Sequence, residues 1–396
     1  MRVPLRTVMA GLAVALVFVP GAAQASTTSE LQRGLDKIHA AGMPGVFAVG
    51  QNGTAREPAA SGAGDVNTGR PVQPHYRHRV GSITKTFVAT VMLQLSAEGR
   101  VDLDAPIGRY LPEFAVDGVT VRMLLNHTSG IGNFTDTIES PEDVLRLQYT
   151  TVRPEELARL GLSLPRTGEP GASWSYSNTG YILAGLIIEK VTGRPAAFEI
   201  YWRVIFRAGL WHTRLPGTDP RIYGPHSAAY IPWPPAGELR DLSVFNMSWA
   251  WMAGEMVSTP DDLNRFYRAL LGGKLLRPAQ LAEMKTTVDM VPGAPEAGAY
   301  GLGLMTVPLP CGVSVWGHTG GVFGHTTYSM HGEQGGKQLS LALNMSHYQT
   351  GPVDPIADAT IDTIFGYFCG QEPGLRSTAS ALSVPNLDHN GLALAS

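Results

Sequence analysis

The chain of 396 residues is short of cysteine, of net charge and of long apolar runs, and each shortage excludes something. There are two cysteines, Cys311 and Cys369, with no C-x-x-C and no H-E-x-x-H spacing, so no metal site and no cofactor is expected. No G-x-S-x-G elbow occurs, which excludes an α/β-hydrolase nucleophile. Charged residues make up 16% and the formal net charge is -3. No basic stripe and no block of like charge stands out, so neither a nucleic acid nor an anionic membrane is an expected partner. Beyond the N-terminus no segment has the roughly 20 apolar residues of a membrane span. Internal repeats and low-complexity tracts are missing too.

What is present begins with a leader. Arg2 and Arg6 precede an apolar stretch from Val8 to Val19, followed by Pro20-Gly21 and Ala23-Gln24-Ala25. That order predicts a secretory signal peptide over 1–25, cleaved after Ala25, and a secreted product with no integral membrane segment. In an exported chain Cys311 and Cys369 can pair, and they can equally be two buried thiols; spacing alone leaves both open.

The periodicity predicts an α+β fold. Ser29 caps a helix through Leu31, Leu35 and Ile38, Gly45 to Val49 reads as a strand, and Asn52-Gly53 marks a hairpin. Ala60 to Gln73 reads as loop or weak strand. After Ser82 a helix with Phe87, Val88, Val91, Met92 and Leu95 on one face runs to Gly99. Helical signals dominate the middle, including Tyr181 to Val191 and Asp261 to Leu271, the latter capped by Thr259, whereas Trp211 to Asp241 reads as irregular. From Tyr300 onward short strands follow one another, and a last helix carries Ile356, Ile361, Ile364 and Phe365. The economical arrangement is one antiparallel sheet built from both ends and flanked by the terminal helices, with a mostly helical lobe inserted. The expected bounds are about 26–100 plus 296–370 for the sheet-bearing lobe and about 101–295 for the helical one, with a flexible tail over 371–396.

Three short motifs carry chemistry. Ser82-Ile83-Thr84-Lys85 puts a lysine one helical turn after a serine at a helix start, where a desolvated amine can take the hydroxyl proton. Tyr176-Ser177-Asn178 offers a phenol to relay a proton and an amide to hold a substrate. His318-Thr319-Gly320-Gly321, expected at a strand end and turn, lets a ligand's backbone approach and supplies a histidine as donor or positive charge.

In this order, S-x-x-K, Y-x-N and H-T-G resemble the motifs of the penicillin-recognising serine enzymes, in particular the soluble D-alanyl-D-alanine carboxypeptidases and class C β-lactamases. Val80 to Phe87 is similar to their nucleophile segment. Leu124-Leu125-Asn126-His127-Thr128-Ser129-Gly130 resembles their "LLxHTSG" element, and Trp249 and Ala253-Gly254 match a cleft tryptophan and a following turn. The likeness covers roughly Leu31 to Gly370, and it implies a catalytic domain over 26–370. It implies Ser82 as nucleophile, Lys85 as base or partner, and Tyr176 as proton shuttle. Asn178 and Trp249 would contact the substrate, with the strand Thr319, Gly320 and Gly321. His318 would add electrostatics and orient Tyr176 or the leaving group. The N–H groups of Ser82 and Gly321 would form an oxyanion hole, and Cys311 and Cys369 a disulfide. The implied substrate is a small peptide ending in D-alanyl-D-alanine, such as a peptidoglycan stem peptide, with β-lactams as inhibitors. Two positions depart from that pattern: Met305 stands where an arginine would hold the substrate carboxylate, and Gly321 where a threonine follows H-T-G. Esterases, β-lactamase-like enzymes, D-amino-acid peptidases and peptide-cyclising acyltransferases of the same family are the alternatives, and a non-catalytic penicillin-binding protein lies outside them.

Overall fold

The computed structural model describes Met1 and residues 28–234, 237–347 and 354–370. The leader expected over 1–25, Met1 apart, and the tail expected over 371–396 lie outside these residues. No helix among the described residues is long and apolar enough to cross a membrane.

The fold is α+β. Nine strands among the described residues form one sheet in the order Arg70–Pro71, Ala55–Asp65, Gly45–Asn52, Lys337–Leu343, His325–Gly332, Ser314–Val322, Met305–Pro308, Ala299–Tyr300 and Val288–Asp289. Every pairing is antiparallel. The two ends of the chain meet at the Gly45–Asn52 strand, where Val46 pairs with Leu343 and Asn52 with Lys337. The stretch from Ala60 that reads as weak in sequence is firm strand as far as Asp65; its Ala, Ser and Gly residues pair with the apolar Gly45–Asn52 strand.

The terminal helices Glu30–Ala40 and Pro355–Cys369 cover this sheet, and Ser29 caps the first by accepting from the Gln32 N–H. Leu31, Leu35 and Ile38 bury against Ile361, Ile364 and Phe368 and against Val46, Leu341 and Leu343 of the sheet. Cys311 and Cys369 form a disulfide that fastens the turn before the Ser314–Val322 strand to the end of the last helix.

A second and larger core fills the helical part between the two halves of the sheet. At its centre lies the helix Thr84–Ala97, buried along Thr84 to Leu93 and again at Leu95. The single apolar face expected there is therefore incomplete. This helix is packed on several sides, by Asn178–Thr192, by Pro278–Met284 and by the turn around Trp251, and Phe87 stacks on Phe266 of the Pro260–Leu271 helix with ring centroids 3.7 Å apart. Thr86 and Thr90 tolerate burial because their hydroxyls reach the Gly303 and Thr86 carbonyls. The irregular stretch after Trp211 contains one hairpin, Tyr230–Trp233 with Glu238–Asp241.

Candidate active site

Ser82 lies in a one-turn 3-10 segment, Gly81–Ile83, immediately before the Thr84–Ala97 helix. The Ser314–Val322 strand passes very close to this turn. A Cβ on Gly320 would lie 2.0 Å from the Val80 carbonyl oxygen and 3.0 Å from the Ser82 nitrogen, and one on Gly81 would lie 2.5 Å from the Gly321 nitrogen. Gly81 also has φ +53°, a conformation that L side chains avoid. Glycines at these points let the main chain of the strand approach the N–H of Ser82.

Lys85 Nζ is 2.9 Å from Ser82 Oγ, 2.7 Å from Asn178 Oδ1 and 2.7 Å from the Ala253 carbonyl oxygen. Lys85 is fully buried, and desolvation holds its ammonium well below the usual lysine range. In the neutral form all three contacts are still met. A neutral amine has two N–H donors and one lone pair. Asn178 Oδ1 and Ala253 O can only accept, so they take both donors, and the lone pair is left for the Ser82 hydroxyl.

The Tyr176 hydroxyl donates to Ser82 Oγ across 2.7 Å. Burial raises its pKa above the ordinary tyrosine value, against a smaller opposing effect of the Ser82 bond, so the phenol is protonated at neutral pH. Asn178 opens the Asn178–Thr192 helix. Its N–H donates to Asn133 Oδ1 at 3.0 Å and its amide nitrogen to Thr135 Oγ1 at 3.0 Å, which fixes the oxygen toward Lys85.

A cleft opens over Ser82, lined also by Phe134, Thr135, Tyr176, Asn178, Trp249, Ala250, Ala253, Gly254, Gly321 and Val322. Of the positions singled out from the sequence, Ser82, Tyr176, Asn178, Trp249, Ala253, Gly254 and Gly321 come together there. Lys85 sits directly beneath, and Thr319 and Gly320 are buried in the strand without lining the cleft.

His318 departs from expectation. It lies inside the long Ser314–Val322 strand and not at a turn, because pairing continues to Val322 opposite His325. The ring is 2% exposed, and Nε2 is 2.7 Å from the Tyr300 hydroxyl. Desolvation, helped by the nearby Lys85, lowers its pKa to about 3, so it is neutral and brings no positive charge to the site. Met305 likewise lies outside the cleft. It is 1% exposed in the core between the sheet and the terminal helices, where an arginine would be desolvated. Sequence reading missed Thr135, Phe134 and Val322 at the cleft wall and the carbonyl of Ala253. A backbone acceptor leaves no residue-type signal.

These features have counterparts in known proteins. A beta-lactamase family model matches residues 27–361. The chain is similar to the solved structure of a D-stereospecific amidohydrolase from Streptomyces sp., with 39% identity, a TM-score of 0.78, and coverage of 87% of this chain and 99% of that one. It is similar to D-amino acid amidase from Ochrobactrum anthropi SV3 at 28% identity and a TM-score of 0.73, over 85% of this chain and 98% of the other. A penicillin-binding protein of Bacillus subtilis (strain 168) is 28% identical over 67% of this chain, and esterase EstB of Burkholderia gladioli is 34% identical over 39% of it. The chain spans only 60% and 42% of those two relatives' own lengths. With a family match over most of its length and a serine, lysine and tyrosine joined at one cleft, the chain belongs to the beta-lactamase family, a family of penicillin-recognising serine hydrolases.

Proposed function

We propose that this protein is a D-stereospecific serine amidohydrolase that also cleaves esters through an acyl-enzyme on Ser82. The observation that carries this reading is the character of the cleft wall. Among the described residues no cationic side chain lines it, and Phe134, Trp249 and Val322 make it largely apolar. A substrate with a carboxylate on its leaving group, as in a D-alanyl-D-alanine peptide, would lose hydration there without gaining a charged partner. An amide or ester with a neutral leaving group meets no such penalty. The likeness to a D-stereospecific amidohydrolase and a D-amino acid amidase supports the same substrate class.

In acylation, Ser82 Oγ attacks the carbonyl carbon while its proton passes to Lys85 Nζ. Negative charge on the carbonyl oxygen is met by the main-chain N–H groups of Ser82 and Gly321. As the carbon–nitrogen bond breaks, Tyr176 gives its proton to the leaving amine. The resulting phenolate is balanced by the Lys85 ammonium, which lies 4.9 Å from the ring centroid. In deacylation the phenolate takes a proton from water, the hydroxide attacks the ester carbon, and Lys85 returns its proton to Ser82 Oγ. Asn178 holds Lys85 on one side and faces the acyl group on the other. Export belongs to the same proposal, supported by the leader sequence and by a disulfide suited to an oxidising compartment.

The test compares ammonia release from D- and L-phenylalanine amide with D-alanine release from a diacyl-Lys-D-Ala-D-Ala tripeptide. The D-amide is expected to exceed the L-amide by at least about 100-fold in kcat/KM, a difference of roughly 2.7 kcal/mol. The tripeptide is expected to be the poorer substrate. Faster turnover of the tripeptide would replace this reading with the carboxypeptidase that the sequence motifs suggest.

A further inference from the structure

His127, the histidine of the Leu124–Gly130 motif, has no role in the steps above, yet it touches the chain on both sides of Tyr176. The Ser175 N–H donates to the His127 carbonyl oxygen at 2.8 Å, and the Ser177 N–H donates to His127 Nδ1 at 3.1 Å. Between these two anchors the imidazole lies against the Tyr176 ring, with centroids 4.2 Å apart and planes inclined by 35°. The same imidazole is 4.8 Å from the Tyr300 ring and 5.4 Å from the Tyr181 ring, so it is wedged into an aromatic nest and is 1% exposed. Its backbone has φ +61°, uncommon for a residue other than glycine. A strained conformation is retained here where it turns both the carbonyl and the ring toward one short segment.

Accepting the Ser177 N–H requires a lone pair on Nδ1, and hence a neutral ring protonated at Nε2. Burial favours that form, pushing the imidazole well below its ordinary pKa. Nε2 itself is buried and has no hydrogen-bond partner among the described residues. An orphaned donor is a cost to the fold, and a valine or leucine would fill the same space without it. The cost makes sense if the ring's acceptor and flat face are what the site needs.

We propose that His127 is the positioning residue for Tyr176, setting its hydroxyl against Ser82 Oγ and the departing nitrogen. The inference rests on the reading of Tyr176 as the acid that protonates the leaving group. It makes a distinction that a purely structural role would not. An amide nitrogen must be protonated to leave, whereas p-nitrophenolate leaves without a proton. Loosening Tyr176 should therefore damage acylation by an amide far more than acylation by a p-nitrophenyl ester.

The experiment measures kcat and KM of wild type, Tyr176→Phe, His127→Asn and the double variant on a D-amino-acid amide and the p-nitrophenyl ester of the same acid. Asparagine tolerates positive φ and keeps an oxygen acceptor for Ser177, but removes the ring. Tyr176→Phe is expected to lower kcat/KM, which reports the steps through acylation and excludes the deacylation common to both substrates, about 10²- to 10³-fold for the amide and less than about 10-fold for the ester. His127→Asn should lower amide kcat/KM about 10- to 100-fold and leave ester kcat/KM within about 3-fold. The double variant should be no worse than Tyr176→Phe alone. Equal loss on both substrates in His127→Asn, beside a clear split in Tyr176→Phe, would overturn the inference about His127. No split in Tyr176→Phe would overturn the reading of Tyr176 as the acid on which it rests.

Discussion

Lys85→Met should lower kcat/KM for amide hydrolysis by about 10³- to 10⁴-fold while leaving the protein folded, since general-base assistance and nucleophile activation are lost together. Methionine matches the stem of lysine in length and volume, so the surrounding core has little to rearrange. The two acceptors it abandons, Asn178 Oδ1 and the Ala253 carbonyl, belong to residues on the cleft wall where water can replace the amine. Lys85→Arg sharpens the point. A guanidinium keeps the charge and the donors but has no lone pair at neutral pH, so it should fail nearly as badly if Lys85 acts as a base. Retained activity in the arginine variant would mean that positive charge alone suffices.

The pH profile follows from the direction of the Lys85 shift. The active form is the neutral amine, so kcat/KM should rise with pH up to the lysine's own pKa and level off above it. With an unperturbed lysine, whose ordinary value is 10.5, the rise would continue into strongly alkaline solution. Desolvation lowers that pKa, and the plateau should be reached well before 10.5. Lys85→Met should lack this limb.

The protein should lose stability steeply as the pH falls below about 6.5, before most carboxylates titrate. Six buried histidines carry pKa values lowered from the ordinary 6.5, in each case chiefly by desolvation: His78 and His318 to about 3, His347 to about 4, and His127, His325 and His331 well below. Below pH 6.5 the unfolded chain binds protons at these positions and the folded one does not, so acid favours unfolding. Over the first pH unit below 6.5 each histidine contributes up to about 1 kcal/mol, and six together up to about 6 kcal/mol. Total stabilities of domains are about 5–15 kcal/mol, so this contribution decides the acid limit. Glu255 works in the opposite sense. It is buried, accepts the Gly217 N–H at 2.9 Å, and desolvation raises its pKa to about 8, so the folded state holds its proton and gains relative stability as pH falls toward 4.5. Burial also raises Asp136, Glu189 and Asp262, in the same direction as Glu255 but without the large shift of that group, and these do not offset six histidines. Urea denaturation at intervals from pH 7.5 to 5 checks this; a stability that stays level down to pH 5 would contradict it.

Much of this site is readable in the sequence because its chemistry is local. Ser82 and Lys85 are one helical turn apart, and the helix geometry alone brings Nζ to Oγ. Tyr176 and Asn178 stand out by residue type, and their union with Ser82 follows from a resemblance, since no local rule joins positions 94 residues apart. His318 shows the limit. A strand end and a tight turn share the same glycine signal, and only the pairing of Gly320 with Thr327 and Gly321 with Thr326 shows that the strand continues. The environment of His318 was illegible as well, because the Tyr300 hydroxyl that meets it comes from a two-residue strand with no periodicity to read. The buried Thr84–Ala97 helix misled in another way. Its threonines resemble a polar face, but their hydroxyls are satisfied by main-chain carbonyls inside the core.

The central claim is that Ser82 carries the acyl group during turnover. The direct measurement is acid quenching of the enzyme during steady-state hydrolysis of a p-nitrophenyl ester, followed by proteolysis and mass analysis. One acyl group is expected on the peptide that contains Ser82, with no adduct and no turnover in Ser82→Ala. An adduct on a different residue, or a Ser82→Ala variant that still turns over the ester at the wild-type rate, would contradict the mechanism.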